Sequence, residues 1–315
     1  MKLTDKNLRF ICAQPAIKYY AWQVEVMLNN FRKNGINLND VDIVCSKPDG
    51  IVPEEWSKLA NNYAARFFFY DDLRVDKGYI SSIRPNILKQ HFIKNPDLEK
   101  EAIFYHDCDI VFTKPIDWIY QYVNGDEWYG SDTRWYIAHS YIESKGRDVI
   151  EEMCKIANID EQLVKDNELN SIGAQYLMKN VNAKYWDDVE RLSERLFVDI
   201  TALNNQKKQA DPTHHELQIW CADMWAVLWE AWKRGYKTNC EDDIQFGWAT
   251  AGPDDWTKFN IFHNAGVTDS ASGLFYKAEY MSEYPYNKPL QIKEDSASWY
   301  YWNEIQQTAQ KSCLL

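Results

Sequence analysis

The feature that most constrains the fold is the regular alternation of short apolar segments with amphipathic segments over the first third of the chain. The predicted strands are residues 8–13, 41–45, 65–70 and 102–113, and the predicted helices between them begin near Trp22, Pro53 and Lys77, with a kink expected at Pro85. Strands separated by helices pair in parallel and bind ligands beyond their carboxyl ends. We therefore expect a doubly wound α/β fold, with a mostly parallel sheet and helices on both faces.

The second half of the chain has a looser pattern. Helices are predicted at 147–158, 183–197 and 217–234, short strands at 127–131 and 260–264, and a connecting segment at 170–176. The helix at 217–234 carries an apolar stripe that we expect in the core, formed by Trp220, Met224, Val227, Leu228 and Ala231. From Gly273 onward the sequence is rich in aromatic residues, too hydrophobic for a disordered tail.

Two carboxylates, Asp107 and Asp109, follow the apolar run that begins at Ala102. Alternate side chains of a strand point to the same face, so we expect both carboxylates to project together from the end of one buried strand. Two like charges held this close repel each other unless a cation or a shared proton compensates. Paired carboxylate oxygens suit Mg²⁺ or Mn²⁺, above all where phosphates supply the remaining ligands. The pair therefore predicts a divalent-cation site.

Short Asp-x-Asp matches are common, and this chain has a second one at Asp40 and Asp42. That pair precedes its apolar run, at Ile43 and Val44, instead of following it. Its surroundings have the acidic composition of a loop. We therefore expect it to be solvated and to hold no metal.

Composition excludes several classes of protein. The formal net charge is −12, which argues against nucleic-acid and anionic-membrane partners because these require a basic face. The seven cysteines are scattered, without a Cys-x-x-Cys pair, which favours a reducing compartment and no zinc cluster. We see neither an apolar run long enough to cross a membrane nor a signal-peptide core at the N-terminus. We therefore expect a soluble, cytoplasmic protein.

Two further polar residues lie in apolar surroundings. Asp223 is one position off the apolar stripe of the 217–234 helix. It is either an acid favoured by the dipole at the helix start or a carboxylate that points into a cleft. His263 lies on the short strand at 260–264 and precedes Gly266. It is either a core histidine or a strand-end metal ligand.

In this order, the motifs resemble those of the GT-A-type glycosyltransferases that use nucleotide-sugar donors. The matching residues are Asp107-Cys108-Asp109, Ser171-Ile172-Gly173-Ala174-Gln175, Asp223 and His263-Asn264-Ala265-Gly266. The resemblance covers about residues 8–285. Trp22-Gln23 and the segment from Tyr280 to Pro285 are similar to the hydroxyproline arabinosyltransferase and serine galactosyltransferase branch.

The resemblance implies a hexosyl- or pentosyltransferase that moves a sugar from a nucleoside diphosphate, with UDP expected, to a glycan or a small hydroxylated molecule. It implies that Asp109 and His263 ligate Mn²⁺ or Mg²⁺, and that Asp107 holds the donor's ribose or sugar or reaches the metal through water. Asp223 would be the base that activates the acceptor in an inverting enzyme. The implied donor-binding residues are Gln14, Tyr19, Arg84, Asp107, Gly173 and Gln175.

The resemblance also implies that the two halves of the chain have different functions. Residues 1–130 would form the nucleotide-sugar-binding half, and residues 131–315 the acceptor-binding and catalytic half. The aromatic C-terminal region would belong to the acceptor side. Both halves are expected to pack on one sheet as a continuous domain.

Two alternatives remain open at this point. Asp107, Asp109 and Val111 also fit the motif of haloacid-dehalogenase-like phosphatases, in which the first aspartate attacks phosphorus, and the acids at 241–243 could supply the later cluster. Against this, that motif normally lies on the first strand, whereas three strand–helix units come first here. The other alternative is a catalytically inactive protein that binds nucleotide sugars. Retention and inversion are not distinguished by one sequence.

Overall fold

The structure is a computed structural model that describes residues 7–315. Its strands are β1 (Leu8–Pro15), β2 (Val41–Ser46), β3 (Arg66–Tyr70), β4 (Ala102–Tyr105), β5 (Ile110–Phe112), β6 (Trp128–Asp132), β7 (Ile172–Lys179), β8 (Thr238–Cys240), β9 (Phe246–Trp248) and β10 (Ile261–His263). The predicted strands of the first third are confirmed, except that the expected long strand at 102–113 is two separate strands, β4 and β5.

The α-helices are α1 (Lys18–Lys33), α2 (Glu54–Asn62), α3 (Ile83–Lys94), α4 (Arg134–Ile137), α5 (His139–Glu143), α6 (Arg147–Ala157), α7 (Glu161–Asp166), α8 (Ala183–Ala210), α9 (Ala222–Lys233), α10 (Pro253–Lys258) and α11 (Ala297–Ala309). The third predicted helix begins later than expected, at Ile83, so Pro85 lies in its first turn. Proline is tolerated there because the first N–H groups of a helix have no intrahelical partner. No kink is required.

Hydrogen bonding joins the strands into two sheets. One has seven strands in the order β3-β2-β1-β4-β7-β6-β8, and the other has three in the order β5-β10-β9. β2 pairs in parallel with both β1 and β3, β6 pairs in parallel with β8, and β6 pairs with β7 antiparallel. The predicted α/β fold with a mostly parallel sheet is confirmed.

Contacts divide the chain into two compact units, each assembled from separate segments. Among the described residues, unit 1 consists of 7–71, 104–124 and 242–315. Unit 2 consists of residues 72–103 and 125–241. The functional division at residue 130 stays a prediction.

In unit 1 an aromatic cluster fixes the end of β4. Phe10 packs edge-on against Phe31 and Phe104, with ring centroids 5.8 and 5.7 Å apart, and Phe31 lies 4.8 Å from Phe112. His106, which directly follows β4, joins this cluster 5.3 Å from Phe31. These side chains are buried, so the chain leaves β4 at a defined place.

The aromatic C-terminal region packs on α1 within the same unit. Trp22 contacts Phe275 edge-on, with centroids 5.8 Å apart, and its indole N–H donates to the carbonyl of Tyr280 at 3.3 Å. Phe275 and Tyr280 stack on each other. The expectation that this region is ordered is confirmed, and the segment between these anchors passes beside the candidate site described below.

A buried carboxylate ties the last residues to α1. Glu25 is fully buried and accepts hydrogen bonds from the Tyr286 hydroxyl at 2.7 Å, the Ser312 hydroxyl at 2.6 Å and the Cys313 backbone N–H at 2.8 Å. The Tyr63 hydroxyl also donates, at 3.2 Å. A buried charge is stable only with such donors, so these contacts fix the C-terminal residues of unit 1.

Unit 2 is built around α8, which packs against α3 and α9. The predicted helix at 217–234 is shorter than expected, because residues 219–221 form a separate 3₁₀ turn before α9. Trp220 lies in that turn and is 61% exposed, so its predicted place in the core is wrong. Met224 is half-buried, and Val227, Leu228 and Ala231 are buried as predicted.

The connecting segment predicted at 170–176 is wrong, because the chain from Ile172 forms β7. The strand has a bulge, since the register of β6 with β7 shifts between Gly130 and Ser131 and Ala174 has a positive φ of 60°. Gly173 and Ala174 have low strand propensity, so the pattern of the sequence does not predict a strand here.

The expectation that Asp42 is solvated is also wrong. Its side chain is fully buried within β2 and receives two hydrogen bonds from the guanidinium of Arg66, at 2.6 and 2.7 Å. Arg9 approaches the same carboxylate at 3.9 Å. The acidic surroundings suggested a loop, but the β2 strand begins at Val41, one residue before Asp42.

Among the described residues, none of the helices combines the length and apolar character needed to cross a membrane.

Candidate metal and nucleotide site

Asp107 and Asp109 lie in the turn that joins β4 to β5, not on one continuous strand as predicted. The backbone N–H of His106 still donates to Ile11 of β1 at 3.1 Å, and the chain then turns away into the three-stranded sheet. The argument from alternating side chains is therefore wrong in its geometry. The two carboxylates nevertheless converge, since each offers an oxygen to a common group with His263.

His263 is brought to the turn by the pairing of β10 with β5. The two strands are antiparallel with His263 opposite Ile110, and the backbone N–H of Asn264 donates to the carbonyl of Asp109 at 3.0 Å. As a result, His263 Nε2 lies 3.2 Å from Asp109 Oδ1 and 3.5 Å from Asp107 Oδ2. One ligand atom from each of the three residues lies within 4.8 Å of the others.

A fourth charged group, Lys277, contacts the cluster, and the sequence analysis missed it. Its ammonium nitrogen contacts Asp109 Oδ2, whereas His263 contacts the other oxygen of that carboxylate. Burial alone would raise the pKa of Asp109, but Lys277 and His263 outweigh burial and hold this pKa well below its usual range. Conversely, burial would lower the pKa of Lys277, and Asp109 raises it above the usual value.

The three residues fit a divalent cation. Two carboxylates and an imidazole are hard or borderline ligands of the type that Mn²⁺ and Mg²⁺ accept, and they leave room for phosphate oxygens. The Asp109 side chain is only 7% exposed, whereas those of Asp107 and Lys277 are 27% and 28% exposed, so solvent reaches the cluster at these two residues. The residues thus form a candidate metal centre within unit 1.

His106 supports this centre from the core. Burial lowers the pKa of His106 to about 4, so the ring is neutral at physiological pH. With Nδ1 protonated, the ring donates to the backbone carbonyl of Asp107, 2.9 Å away. His106 therefore fixes the backbone of the turn that carries both aspartates.

Two predicted donor-binding residues lie in unit 1. Gln14, at the end of β1, is 2% exposed; its amide N–H lies 3.4 Å from Cys45 Sγ, and its Oε1 has no hydrogen-bond partner. Tyr19 lies in the first turn of α1, where burial and then the charge of Asp109 raise the pKa of its hydroxyl. Gln14 thus lies within the first strand, whereas Tyr19 follows it, and the predicted donor contacts of both residues stay predictions.

In unit 2, Asp223 lies in the first turn of α9 and contacts two side chains. The Tyr79 hydroxyl lies 2.8 Å from Asp223 Oδ1 and accepts from the Asp223 backbone N–H at 3.0 Å. Arg84 Nη1 lies 3.6 Å from Asp223 Oδ2. Arg84 thus pairs with the predicted base, and its predicted contact with the donor stays a prediction. Asp223 is more than an isolated acid at a helix start, because its carboxylate is oriented by specific partners.

Gly173 and Gln175 both lie on β7. A Cβ at Gly173 would come within 2.5 Å of Met224 Cε and 2.6 Å of Thr133 Oγ1, so packing requires glycine there. Gln175 is fully buried and accepts a hydrogen bond from the Ser131 hydroxyl at 2.7 Å. These contacts are structural, and the predicted roles of both residues in a sugar pocket stay predictions.

A second group of a histidine and two acids lies in unit 2, formed by His139, Glu143 and Glu161. The guanidinium of Arg147 donates to Glu161 at 2.6 Å, and His139 Nε2 lies 2.8 Å from the same carboxylate. Arg147 lowers the pKa of Glu161 to about 2. The guanidinium of Arg147 therefore already compensates the negative charge of Glu161. We interpret this second group as an ion-pair network.

The phosphatase alternative gains no support from these contacts. Asp243, from the acidic cluster expected to assist Asp107, instead accepts hydrogen bonds from Gln121 at 2.8 Å and Tyr122 at 2.9 Å. Among the described residues, the group that shares ligand atoms with Asp107 consists of Asp109 and His263.

No protein-family model matches the chain, and no curated protein matches it. Solved structures do resemble it. The WbbM bifunctional glycosyltransferase shares 10% identity, with a TM-score of 0.48 over 96% of this chain and 52% of that one. The galactosyltransferase LgtC shares 11% identity, with a TM-score of 0.43 over 96% of this chain and 95% of that one.

The glycosyltransferase GlyE of Streptococcus pneumoniae TIGR4 shares 12% identity, with a TM-score of 0.43 over 97% of this chain and 63% of that one. The chain therefore spans about half of the WbbM chain and less than two thirds of the GlyE chain. Likenesses at these identities and TM-scores do not identify an activity, so the function of this chain has to be argued from its own residues.

Proposed function

We propose that the protein is a metal-dependent glycosyltransferase that moves a sugar from a nucleoside-diphosphate donor, with UDP as the expected nucleotide, to a hydroxyl group. The observation that carries this proposal is the convergence of Asp107, Asp109 and His263 at the end of a strand of a mostly parallel sheet. Such strand ends are where α/β folds bind nucleotides. The order of motifs along the sequence supports the same assignment.

In this proposal Asp109 and His263 hold Mn²⁺ or Mg²⁺, and Asp107 completes the site from its more exposed side. The bound cation would stabilise the negative charge that develops on the departing diphosphate. Asp109 is suited to this role because its pKa is held low, so the carboxylate stays ionised across the physiological range.

Asp223 is the proposed base, which would take the proton of the acceptor hydroxyl in an inverting enzyme. Its support is the orientation of its carboxylate by Tyr79 and Arg84. The Tyr79 hydroxyl has one proton for two acceptors, the Trp220 carbonyl at 2.7 Å and Asp223 Oδ1 at 2.8 Å, so the Asp223 carboxylate keeps lone pairs that can accept a proton. In a retaining enzyme the leaving diphosphate can take the proton instead, so this role depends on the stereochemistry.

For the donor we propose contacts from Gln14, Tyr19, Arg84, Gly173 and Gln175. Gln14 has the strongest individual support, since its buried Oε1 has no partner and a nucleobase N–H is a suitable donor for it. The acceptor is proposed to be a glycan or a small hydroxylated molecule, and the transferred sugar a hexose or pentose. A net charge of −12 disfavours a nucleic-acid acceptor. The seven cysteines are all free, which supports a reducing, cytoplasmic location.

A thermal-shift screen of nucleoside diphosphates, with and without Mn²⁺, tests the proposal. A ligand at 100 times its Kd stabilises the folded protein by ~2.7 kcal/mol, which is readily measured. We expect one diphosphate to stabilise the protein only when Mn²⁺ is present. Stabilisation that is equal with and without the metal would contradict the proposed site.

Two further assays separate the alternatives. A phosphatase using Asp107 as nucleophile should hydrolyse a generic aryl phosphate, which the transferase should leave intact. An inactive binding protein should bind the nucleotide sugar with the metal but show no turnover at saturation. We expect no aryl phosphate hydrolysis and slow, metal-dependent hydrolysis of the matching nucleotide sugar.

A further inference from the structure

Lys277 contacts the same carboxylate that the proposed metal requires. Its ammonium lies against Asp109 Oδ2, in a site where the Asp109 side chain is 7% exposed and that of Lys277 is 28% exposed. His263 contacts the other oxygen of Asp109. Both oxygens of the carboxylate are therefore engaged by groups of this chain.

We propose that Lys277 is an internal cation that competes with the divalent metal for Asp109, so that metal binding requires the ammonium to leave the carboxylate. This inference rests on the proposed metal site and adds a control on it. The nucleotide-free protein would then bind the metal weakly, because the ammonium of Lys277 compensates the charge of the two aspartates.

The charges of the cluster support competition. Asp107 and Asp109 contribute two negative charges, and Lys277 contributes one positive charge. A divalent cation balances the two carboxylates by itself, so the addition of the metal with Lys277 in place would leave an excess positive charge. Like charges within a few ångströms repel strongly at a partly buried site. The metal and the ammonium are therefore alternatives at Asp109.

The backbone that carries Lys277 is anchored on both sides. Two residues before it, the Phe275 N–H donates to the Ser298 hydroxyl at 2.7 Å; three residues after it, the Tyr280 carbonyl accepts from Trp22 at 3.3 Å. The ammonium can therefore leave by rotation of its flexible four-carbon stem, without movement of the segment.

The type of residue also favours exchange. A lysine ammonium is a compact point charge, and that of Lys277 contacts Asp109 Oδ2. An arginine instead binds a carboxylate through two parallel hydrogen bonds. Unit 2 offers the contrast, since Arg147 holds Glu161 by a guanidinium in the other histidine–acid group. A divalent metal ion can therefore replace the ammonium of Lys277 at the Asp109 carboxylate.

The test is the affinity of the nucleotide-free protein for Mn²⁺, measured from the electron paramagnetic resonance signal of the free ion. Lys277→Met keeps an unbranched stem and removes the charge. Lys288→Met is the matched control, because Lys288 also lies in unit 1 and pairs with an exposed acid, Glu283, at 2.6 Å. Both variants have the same net charge, one unit below the wild type.

We expect Lys277→Met to bind Mn²⁺ at least ~10-fold more tightly than the wild type, a gain of about 1.4 kcal/mol, and Lys288→Met to bind as the wild type does. Equal or weaker binding by Lys277→Met would overturn the inference. If the wild type already binds tightly and Lys277→Met does not improve on it, the metal site stands and the competition is rejected. If neither protein binds Mn²⁺ at millimolar concentrations, the proposed metal site fails together with the inference.

A second measurement on the wild type avoids any effect of the substitution on folding. Lysine side chains are labelled briefly with an amine-reactive anhydride, and the modification of Lys277 is quantified by mass spectrometry. We expect labelling of Lys277 to increase severalfold when Mn²⁺ is added, with Lys288 unchanged as the internal reference. Unchanged labelling of Lys277 at a saturating concentration of Mn²⁺ would overturn the proposal.

Discussion

Unit 1 contains two Asp-x-Asp pairs, and their second aspartates have different surroundings. Asp42 is fully buried inside β2 and is held by two hydrogen bonds from Arg66, with Arg9 nearby. Asp109 is almost as buried, but it lies in a turn, where His263 and Lys277 contact it. One carboxylate is neutralised by guanidinium groups that cannot lose their charge. The other is contacted by a potential metal ligand and an exchangeable ammonium.

This difference shows that burial of an acid does not by itself indicate function. A buried carboxylate needs compensation wherever it lies. The informative property is whether the compensating group can be replaced by a ligand. A bidentate arginine within a strand is permanent, whereas a lysine beside an imidazole at the end of a strand leaves the carboxylate available to a metal.

Asp109→Asn should produce the largest effect. The amide keeps the shape but removes the negative charge that the metal requires. We expect the Mn²⁺-dependent stabilisation by nucleoside diphosphate to vanish and turnover to fall by at least roughly 10⁴-fold, since metal catalysis contributes several kcal/mol. Asp42→Asn is the matched control and should keep the response to Mn²⁺. A normal metal response in Asp109→Asn would remove the distinction between the two pairs.

Asp223→Asn extends the comparison to a third oriented carboxylate, in unit 2. If Asp223 is the base, turnover should fall by roughly 10²–10⁴-fold while nucleotide affinity and melting temperature stay nearly unchanged. If it only favours the helix start, stability should fall by ~0.3–1 kcal/mol with turnover nearly intact. The anomer of the product should be determined first, because only an inverting enzyme requires this base.

Asp42→Asn should affect stability instead of chemistry. The substitution removes the negative charge that the guanidinium of Arg66 pairs with, although the Arg66 side chain is 39% exposed and water can partly compensate. We therefore expect a loss of about 2 kcal/mol in the free energy of unfolding, measured by urea denaturation. An unchanged midpoint would show that the buried pair contributes nothing net.

Arg66→Lys is the smallest change in this series. It keeps the positive charge but loses the paired geometry of the guanidinium, so we expect a loss of about 1 kcal/mol in unfolding free energy. The affinity for Mn²⁺ should equal that of the wild type, because Asp42 is not part of the metal centre. A change in metal affinity would mean that the two aspartate pairs are coupled.

The sequence predicts much of this arrangement and misses identifiable parts. The alternation of strands and helices predicts the α/β fold, whereas the sequence leaves His263 open as a core histidine or a strand-end metal ligand. The pairing of β10 with β5, which brings His263 to Asp109, is not predictable from the pattern. Lys277 is not predictable, since it lies in a 3₁₀ turn 168 residues after Asp109 and its position depends on tertiary packing. Asp42 is misinterpreted because composition does not reveal that Arg66 on the adjacent strand neutralises it.

The discontinuous build of unit 1 has a consequence for the order of folding during synthesis. Ser312 and Cys313, which both donate to the Glu25 carboxylate, are synthesised 287 and 288 residues after it. The last segment of unit 2 ends at residue 241, so unit 2 is fully synthesised while unit 1 still lacks residues 242–315. At ~5–20 residues per second, this delay is several seconds. Unit 1, which has a segment before unit 2 in the sequence, is thus the later of the two to be completed, and a nascent chain that stops at residue 241 lacks the last segment of unit 1, with the Ser312 and Cys313 donors to Glu25.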